Sequence, residues 1–404
     1  MHRFSLVWMI LAAVTAVLPF QNIAPVIQVT NLEVIGYTFG EEITFRAVAI
    51  SESPIQQARL VLQLPGKTEE QTIAADIKSL NAGGMQLKAT YKLAGQNLPA
   101  FSTLGYYFKV VTPTGQEYTS PLARFDYLDN RYEWQTLPGT RFQVHWFNGN
   151  SDTAQSVQQI AQAGYEGMQD LLELKELPQV EIYIYPDSAS LQGVLAESGK
   201  DWIAGRAALE KGVILVALPP GPDQQVFVEQ RVPHELLHVS LYRKLGGDYL
   251  RLPTWLSEGL ASVAEIYPDP DYPLLVKKAY EESRLPALSA LCPAFPNEAS
   301  AALLAYAEST SVTRYILNHY GKSEMAALIN AYASGQNCES GPISALGISL
   351  SELEQLWRDE TFGKLPASAA QSEEIKPWLI LLAVILAAPL LVVFFVWRMK
   401  PPAR

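Results

Sequence analysis

Apolar and polar residues change their rhythm four times along the chain. After Met1-His2-Arg3, an almost unbroken apolar run extends from Phe4 to Phe20. A short basic start followed by such a run resembles a secretory signal peptide, assigned to residues 1–24. An uncleaved N-terminal anchor is the alternative. Between residues 25 and 132, short runs alternate with period two: Ile43–Ala49, Ala58–Leu64, Met85–Tyr91, Tyr106–Val111 and Glu117–Ser120. Pro65-Gly66, Gly83-Gly84 and Pro113-Thr114-Gly115 separate them as turns. Several short strands at this spacing predict an all-β sandwich.

The rhythm changes again at residue 138. Arg141–Phe147 alternates like a strand. Asp152–Leu172 carries Val157, Ile160, Ala161, Gly164, Met168, Leu171 and Leu172 at helical spacing. Val180–Tyr185 reads as a strand, Ser188–Glu197 as a helix and Gly212–Ala217 as a strand. From Gln225 to about Asp359 the pattern is nearly all helical. Residues 138–362 are therefore an α+β domain, with a small sheet first and helices afterwards. A Ser/Ala/Pro/Glu-rich stretch, 363–376, reads as a stalk.

Pro377–Trp397 is 21 residues without a charge. At about 1.5 Å per residue, a helix of that length spans roughly 31 Å, close to the hydrocarbon thickness of a bilayer. Trp378 and Trp397 sit at its two ends, and Arg398, Lys400 and Arg404 follow it. The basic tail, 398–404, should stay in the cytoplasm. The expectation is a single-pass type I protein of the cell membrane, with residues 25–376 outside.

Composition narrows the function classes. With 49% apolar and 18% charged residues, the 404-residue chain is globular. A net charge of −11 argues against nucleic acid as a partner. Two cysteines exclude a disulfide-rich scaffold and a cysteine-only zinc cluster. Cys292 and Cys338 both lie in the segment expected outside, where disulfides persist. Compartment and even count agree on a Cys292–Cys338 pair, two free thiols being the alternative.

Two of the chain's five histidines fall in His234-Glu235-Leu236-Leu237-His238. Residues four apart on a helix project from one face, so both imidazoles can bind one Zn²⁺. Glu235 sits beside the metal, where it can take a proton from water. Pro233 either starts this helix or kinks a longer one. A zinc hydrolase needs a third protein ligand and an open position. Twenty residues after His238, Pro253-Thr254-Trp255-Leu256-Ser257-Glu258-Gly259-Leu260-Ala261 starts a second helix and presents Glu258. Glu265, seven residues on, shares that face and is the reserve ligand.

HELLH followed by PTWLSEGLA resembles the gluzincin metallopeptidases, and most nearly the peptidase MA-like domains of bacterial surface proteins. The resemblance covers about residues 138–361. It implies a zincin-like fold, one zinc per chain held by His234, His238 and Glu258, and Glu235 as catalytic base. It likens the stretch from Trp202 to Val216 to the family's edge strand, which pairs with extended substrate. It offers Tyr306 as the donor to the oxyanion. The stretch Gly105–Val111 ahead of a Pro-Thr-Gly turn resembles, more weakly, the last hairpin of immunoglobulin-like domains. There are two departures. Many gluzincins carry an Asp four residues after the Glu ligand, where this chain has Ser262, so a backbone carbonyl is a candidate to orient the ligating His. The Gly-x-Met-x-Asn signature of gluzincin aminopeptidases is missing, which points to an endopeptidase acting on peptides or proteins. An inactive peptidase-like adhesion or sensor protein is the alternative.

Overall fold

The computed structural model describes residues 27–80, 84–96, 98–172, 178–195 and 204–363. The signal segment 1–24, nearly all of the stalk, the apolar segment 377–397 and the basic tail lie outside the described residues. Among the described residues, no helix is long and apolar enough to cross a membrane. The chain divides into two compact units, one running to Gln135 and including the segment from Asp187, the other holding Thr136–Pro186 and the chain from Ala204 on.

The first unit is all strands apart from one short helix. They are β1 (Ile27–Thr38), β2 (Glu42–Ser51), β3 (Gln57–Gln63), β4 (Gln71–Ala74), β5 (Asp76–Ser79), β6 (Gly84–Lys92), β7 (Ser102–Val111), β8 (Glu117–Thr119) and β9 (Ala123–Tyr127). One antiparallel sheet has the order β1-β2-β6-β5; the other has β4-β3-β7-β8, with β9 also on β7. Period-two patterning produces this directly. Ile43, Phe45, Ala47 and Ala49 of β2 are buried on one face, as are Leu104, Tyr106, Phe108 and Val110 of β7. The Phe45 and Tyr106 rings, 4.8 Å apart, join the two inner faces. β1 is an edge strand with two irregularities in its pairing, and seven of its twelve residues are exposed. Its weak alternation explains why the sequence pattern does not mark it.

The second unit begins with a sheet of β10 (Gln135–Leu137), β11 (Phe142–Trp146), β12 (Val180–Tyr185), β13 (Gly205–Ala208) and β14 (Val213–Ala217), in the order β10-β11-β12-β14-β13. β11, β12 and β14 are parallel, and every residue of β14 is buried, as befits a central strand covered on both faces. β13 pairs antiparallel with β14 and forms the edge. The helix α1 (Ser151–Leu172) crosses between β11 and β12. Asp187 caps α2 (Ser188–Gln192), which belongs to the first unit and is shorter than its sequence pattern predicts. Then follow α3 (Gln224–Leu245), α4 (Thr254–Val263), α5 (Tyr272–Glu281), α6 (Ala299–His319), α7 (Lys322–Ala333), α8 (Ser340–Leu346) and α9 (Leu350–Phe362). One apolar core runs from the sheet through α1, α3, α4 and α6 to α9.

Two close approaches align the helices. Pro233 lies inside α3, not at its start. It has no N–H to give, so the Glu229 carbonyl one turn back lacks its helical donor. That oxygen accepts the Ile266 N–H at 3.0 Å instead, just beyond the end of α4. Gly164 of α1 makes room for the proline ring: a Cβ there would stand 3.1 Å from Pro233 Cβ. Gly259 plays the same part between α4 and α6, where a Cβ would clash with Thr313 Oγ1 and stand 2.6 Å from the Ser309 carbonyl oxygen. Cys292 and Cys338 are joined with Cα atoms 6.2 Å apart, and the Cys292 carbonyl accepts the Thr254 N–H at 2.9 Å, pinning the start of α4.

Candidate metal centre

His234 and His238 lie one turn apart on α3, and Glu258 lies in the second turn of α4. Ligand atoms of the three fall within 4.8 Å of one another. Glu258 Oε2 is 3.3 Å from His234 Nε2 and 3.5 Å from His238 Nε2. Zinc bonds of 2.0–2.1 Å in tetrahedral array set ligand atoms about 3.4 Å apart. The donor set and its spacing therefore fit a zinc ion. Burial pushes the Glu258 carboxyl up, but His238 and His234 together hold it well below its ordinary value.

Both imidazoles present Nε2 inward, and both have an outer partner. His234 Nδ1 is 3.0 Å from Glu265 Oε1, and His238 Nδ1 is 2.9 Å from the Tyr249 hydroxyl. With Nε2 on a metal, each Nδ1 carries the proton and donates it outward, which fixes ring tautomer and orientation. Glu265, the reserve ligand in the sequence, thus stands behind His234. A side chain does what the missing Asp at Ser262 suggested for a backbone carbonyl. Ser262 is buried, and its hydroxyl has no partner among the described residues. Tyr249, in the 3₁₀ turn Gly246–Arg251, belongs to no motif, so pattern reasoning has no means of finding it.

Glu235 packs against the edge strand: a Cβ on Gly205 would lie 2.5 Å from its Oε1. Burial lifts its carboxyl above the ordinary value, against the pull of His238 and His234. Tyr306, on α6, borders the same hollow as Glu258, and its ring centroid is 6.2 Å from that of His234. Burial, with Glu258 and Glu235 adding to it, pushes its hydroxyl well above the usual value, so it is a neutral donor. His145 and His319 lie apart from the cluster, His145 on Glu181 at 2.7 Å and His319 on Glu360 at 3.2 Å.

Two hollows flank the pair formed by Glu235 and His234. One, of about 290 Å³, borders Ala204 and Gly205 and reaches Arg231 and Tyr272. The other, of about 190 Å³, borders Arg206, Ala207 and Tyr249. A histidine pair on one helix, a carboxylate from the next and an acid beside the edge strand of the described sheet define a candidate metal site of hydrolytic type.

Residues 161–363 match the model of the Peptidase MA superfamily, half of the chain, and the chain belongs to that superfamily. No curated protein matches. Among solved structures, an aminopeptidase N family protein from Idiomarina loihiensis is similar at 11% identity over 66% of this chain and 57% of its own, with a TM-score of 0.27. A cycloalternan-degrading enzyme from Trueperella pyogenes is similar at 14% identity over 28% of this chain and 16% of its own, TM-score 0.19. BhCBM56 is similar at 17% identity over 24% of this chain and 88% of its own, TM-score 0.17. Likenesses this low carry no argument.

Proposed function

We propose that the chain is a zinc-dependent gluzincin-type endopeptidase, anchored in the cell membrane by residues 377–397, with its catalytic domain outside. The observation that carries the catalytic part is the placement of Glu258 Oε2 3.3 Å and 3.5 Å from the two Nε2 atoms, with Glu235 alongside. The anchoring and the topology rest on the apolar segments at the two ends of the sequence.

Zinc, when bound by His234, His238 and Glu258, supplies a Lewis acid that polarises a carbonyl and makes water acidic near neutral pH. The protein's own groups do the rest. The open edge of β13 takes an extended substrate by main-chain hydrogen bonds and lays the scissile bond over Glu235. Glu235 makes no hydrogen bond to a described residue, so its carboxylate is free to accept a proton from the attacking water. It then passes that proton to the leaving amine. The Tyr306 hydroxyl is placed to donate to the carbonyl oxygen as it gains charge. Glu265 and Tyr249 hold the two imidazoles still.

The test is zinc per purified chain by elemental analysis, with His238→Ala and Glu235→Gln alongside, followed by a peptide-library digest. About one zinc, lost in His238→Ala and kept in Glu235→Gln, is expected. Glu235→Gln should lose turnover by about 10²–10⁴-fold. Well-folded chain that takes up no zinc, or a Glu235→Gln variant of equal activity, would overturn the proposal and leave a peptidase-like binding protein.

A further inference from the structure

The larger hollow beside Glu235 contains a cation that has no ion-pair partner among the described residues. Arg231 lies three residues before His234 on α3, so the two share a helix face, and both line this hollow. The guanidinium is half-buried and has two partners. It donates to the Ala217 carbonyl oxygen, and its Cζ lies 4.2 Å from the centroid of the Phe227 ring. Neither partner is an anion. Two acids line the same hollow, and neither forms an ion pair with the guanidinium. Glu265 stands on His234 Nδ1 at 3.0 Å, and Asp269 accepts the Asp271 N–H at 2.9 Å at the start of α5. Burial alone draws the guanidinium down to about 10, with no carboxylate opposing it. A guanidinium has five N–H donors in a planar fork that matches a carboxylate. Among the described residues, one of those donors is used.

The strand direction says which part of a substrate meets that fork. β13 runs from Gly205 to Ala208 along the sheet edge, and its start borders the Arg231 hollow. Its later residues, Arg206 and Ala207, border the smaller hollow. Glu235 lies on both. A peptide laid antiparallel on this edge therefore enters over the smaller hollow and leaves over Arg231. The residue after the scissile bond falls beside the guanidinium.

Resting on the hydrolytic reading above, we propose that Arg231 selects substrates with a carboxylate immediately after the scissile bond. The carboxylate is either an Asp or Glu side chain or the free C-terminus of a short peptide. Charge-assisted, two-pronged hydrogen bonding to a partly desolvated fork gives a preference of about ten- to a hundredfold.

The experiment uses zinc-loaded full-length chain and peptides sharing one N-terminal half. After the bond they carry Glu, Gln, Leu or Lys, each as free acid and as amide. The readouts are kcat/KM ratios within each variant, mapped cleavage sites and equilibrium binding of the same peptides. The wild type should favour the carboxylate-bearing member of each pair by at least about tenfold. Preference for Glu over Gln that survives amidation assigns the side chain, whereas preference confined to free acids assigns the terminus. Arg231→Gln should bring the ratio to about one, and Arg231→Glu should favour Lys; zinc content and tryptophan fluorescence verify that both fold. Equal cleavage of acid and amide by the wild type, or a preference kept in Arg231→Gln, would overturn the assignment and leave the hydrolytic reading standing. Arg231-dependent binding without cleavage would overturn the hydrolytic reading alone. Neither binding nor cleavage would overturn both.

Discussion

Replacing Glu308 by glutamine should make the peptidase-like unit more resistant to denaturation as pH rises. Glu308 lies on α6 with no exposed surface, and both its carboxylate oxygens lack a partner among the described residues. The charged groups nearest it are on α9. Arg358 is paired with Glu354 at 2.5 Å, and the Glu354 carboxylate also accepts the Leu288 N–H at 3.0 Å. Burial, with Glu354 adding to it against Arg358, pushes the Glu308 carboxyl from an ordinary 4.5 up to about 8. The folded chain therefore keeps this proton to about pH 8, and the unfolded chain loses it near 4.5. Between those values the folded state binds more protons, so stability falls as pH rises, by up to about 1.4 kcal/mol per pH unit. From pH 5.5 to 7.5 the loss is about 2.5 kcal/mol. Glutamine keeps the shape and removes the titration. Urea unfolding followed by tryptophan fluorescence at several pH values gives both stabilities, and other titrating groups cancel in the difference. The advantage of Glu308→Gln over wild type should grow by about 2.5 kcal/mol across that window. Stability curves that run parallel in pH would refute the argument.

Two further outcomes follow from contacts already described. Glu265→Gln should weaken zinc binding by about 10–100-fold in competition with a chelator, because His234 loses the carboxylate behind it; unchanged affinity would remove that role. Gly259→Ala should cost about 1–3 kcal/mol in urea unfolding, because its new Cβ meets the Ser309 backbone and α4 must part from α6. A variant as stable as wild type would show that the two helices yield freely.

The sequence reveals some parts of this centre and conceals others, for physical reasons. His234 and His238 are legible because helical geometry puts residues four apart on one face, wherever the helix lies in the fold. Glu258 is legible as the acid on the next helix. Glu265 shares its face by spacing, but spacing carries no radial distance, so ligand and outer partner look alike until α4 is docked against α3. Tyr249 reaches His238 from an irregular turn with no periodicity to flag it. The position of Pro233 stays ambiguous in one dimension, because starting a helix and interrupting one leave the same local pattern. In the first unit, β2, β3, β6, β7 and β8 are readable from alternation, whereas β1, with exposed residues on both faces, is not.

The gap that Pro233 leaves in α3 acts as an address. A helix with all its own donors would have no main-chain acceptor to offer a neighbour at this level. Here one carbonyl, that of Glu229, is left over, and the N–H it takes belongs to the residue after Glu265. The docking uses a main-chain bond, and it is sensitive to the length of the connection from Glu258 to Ile266. A single inserted or deleted residue would bring the wrong N–H to the socket and rotate both acids away from the histidines together.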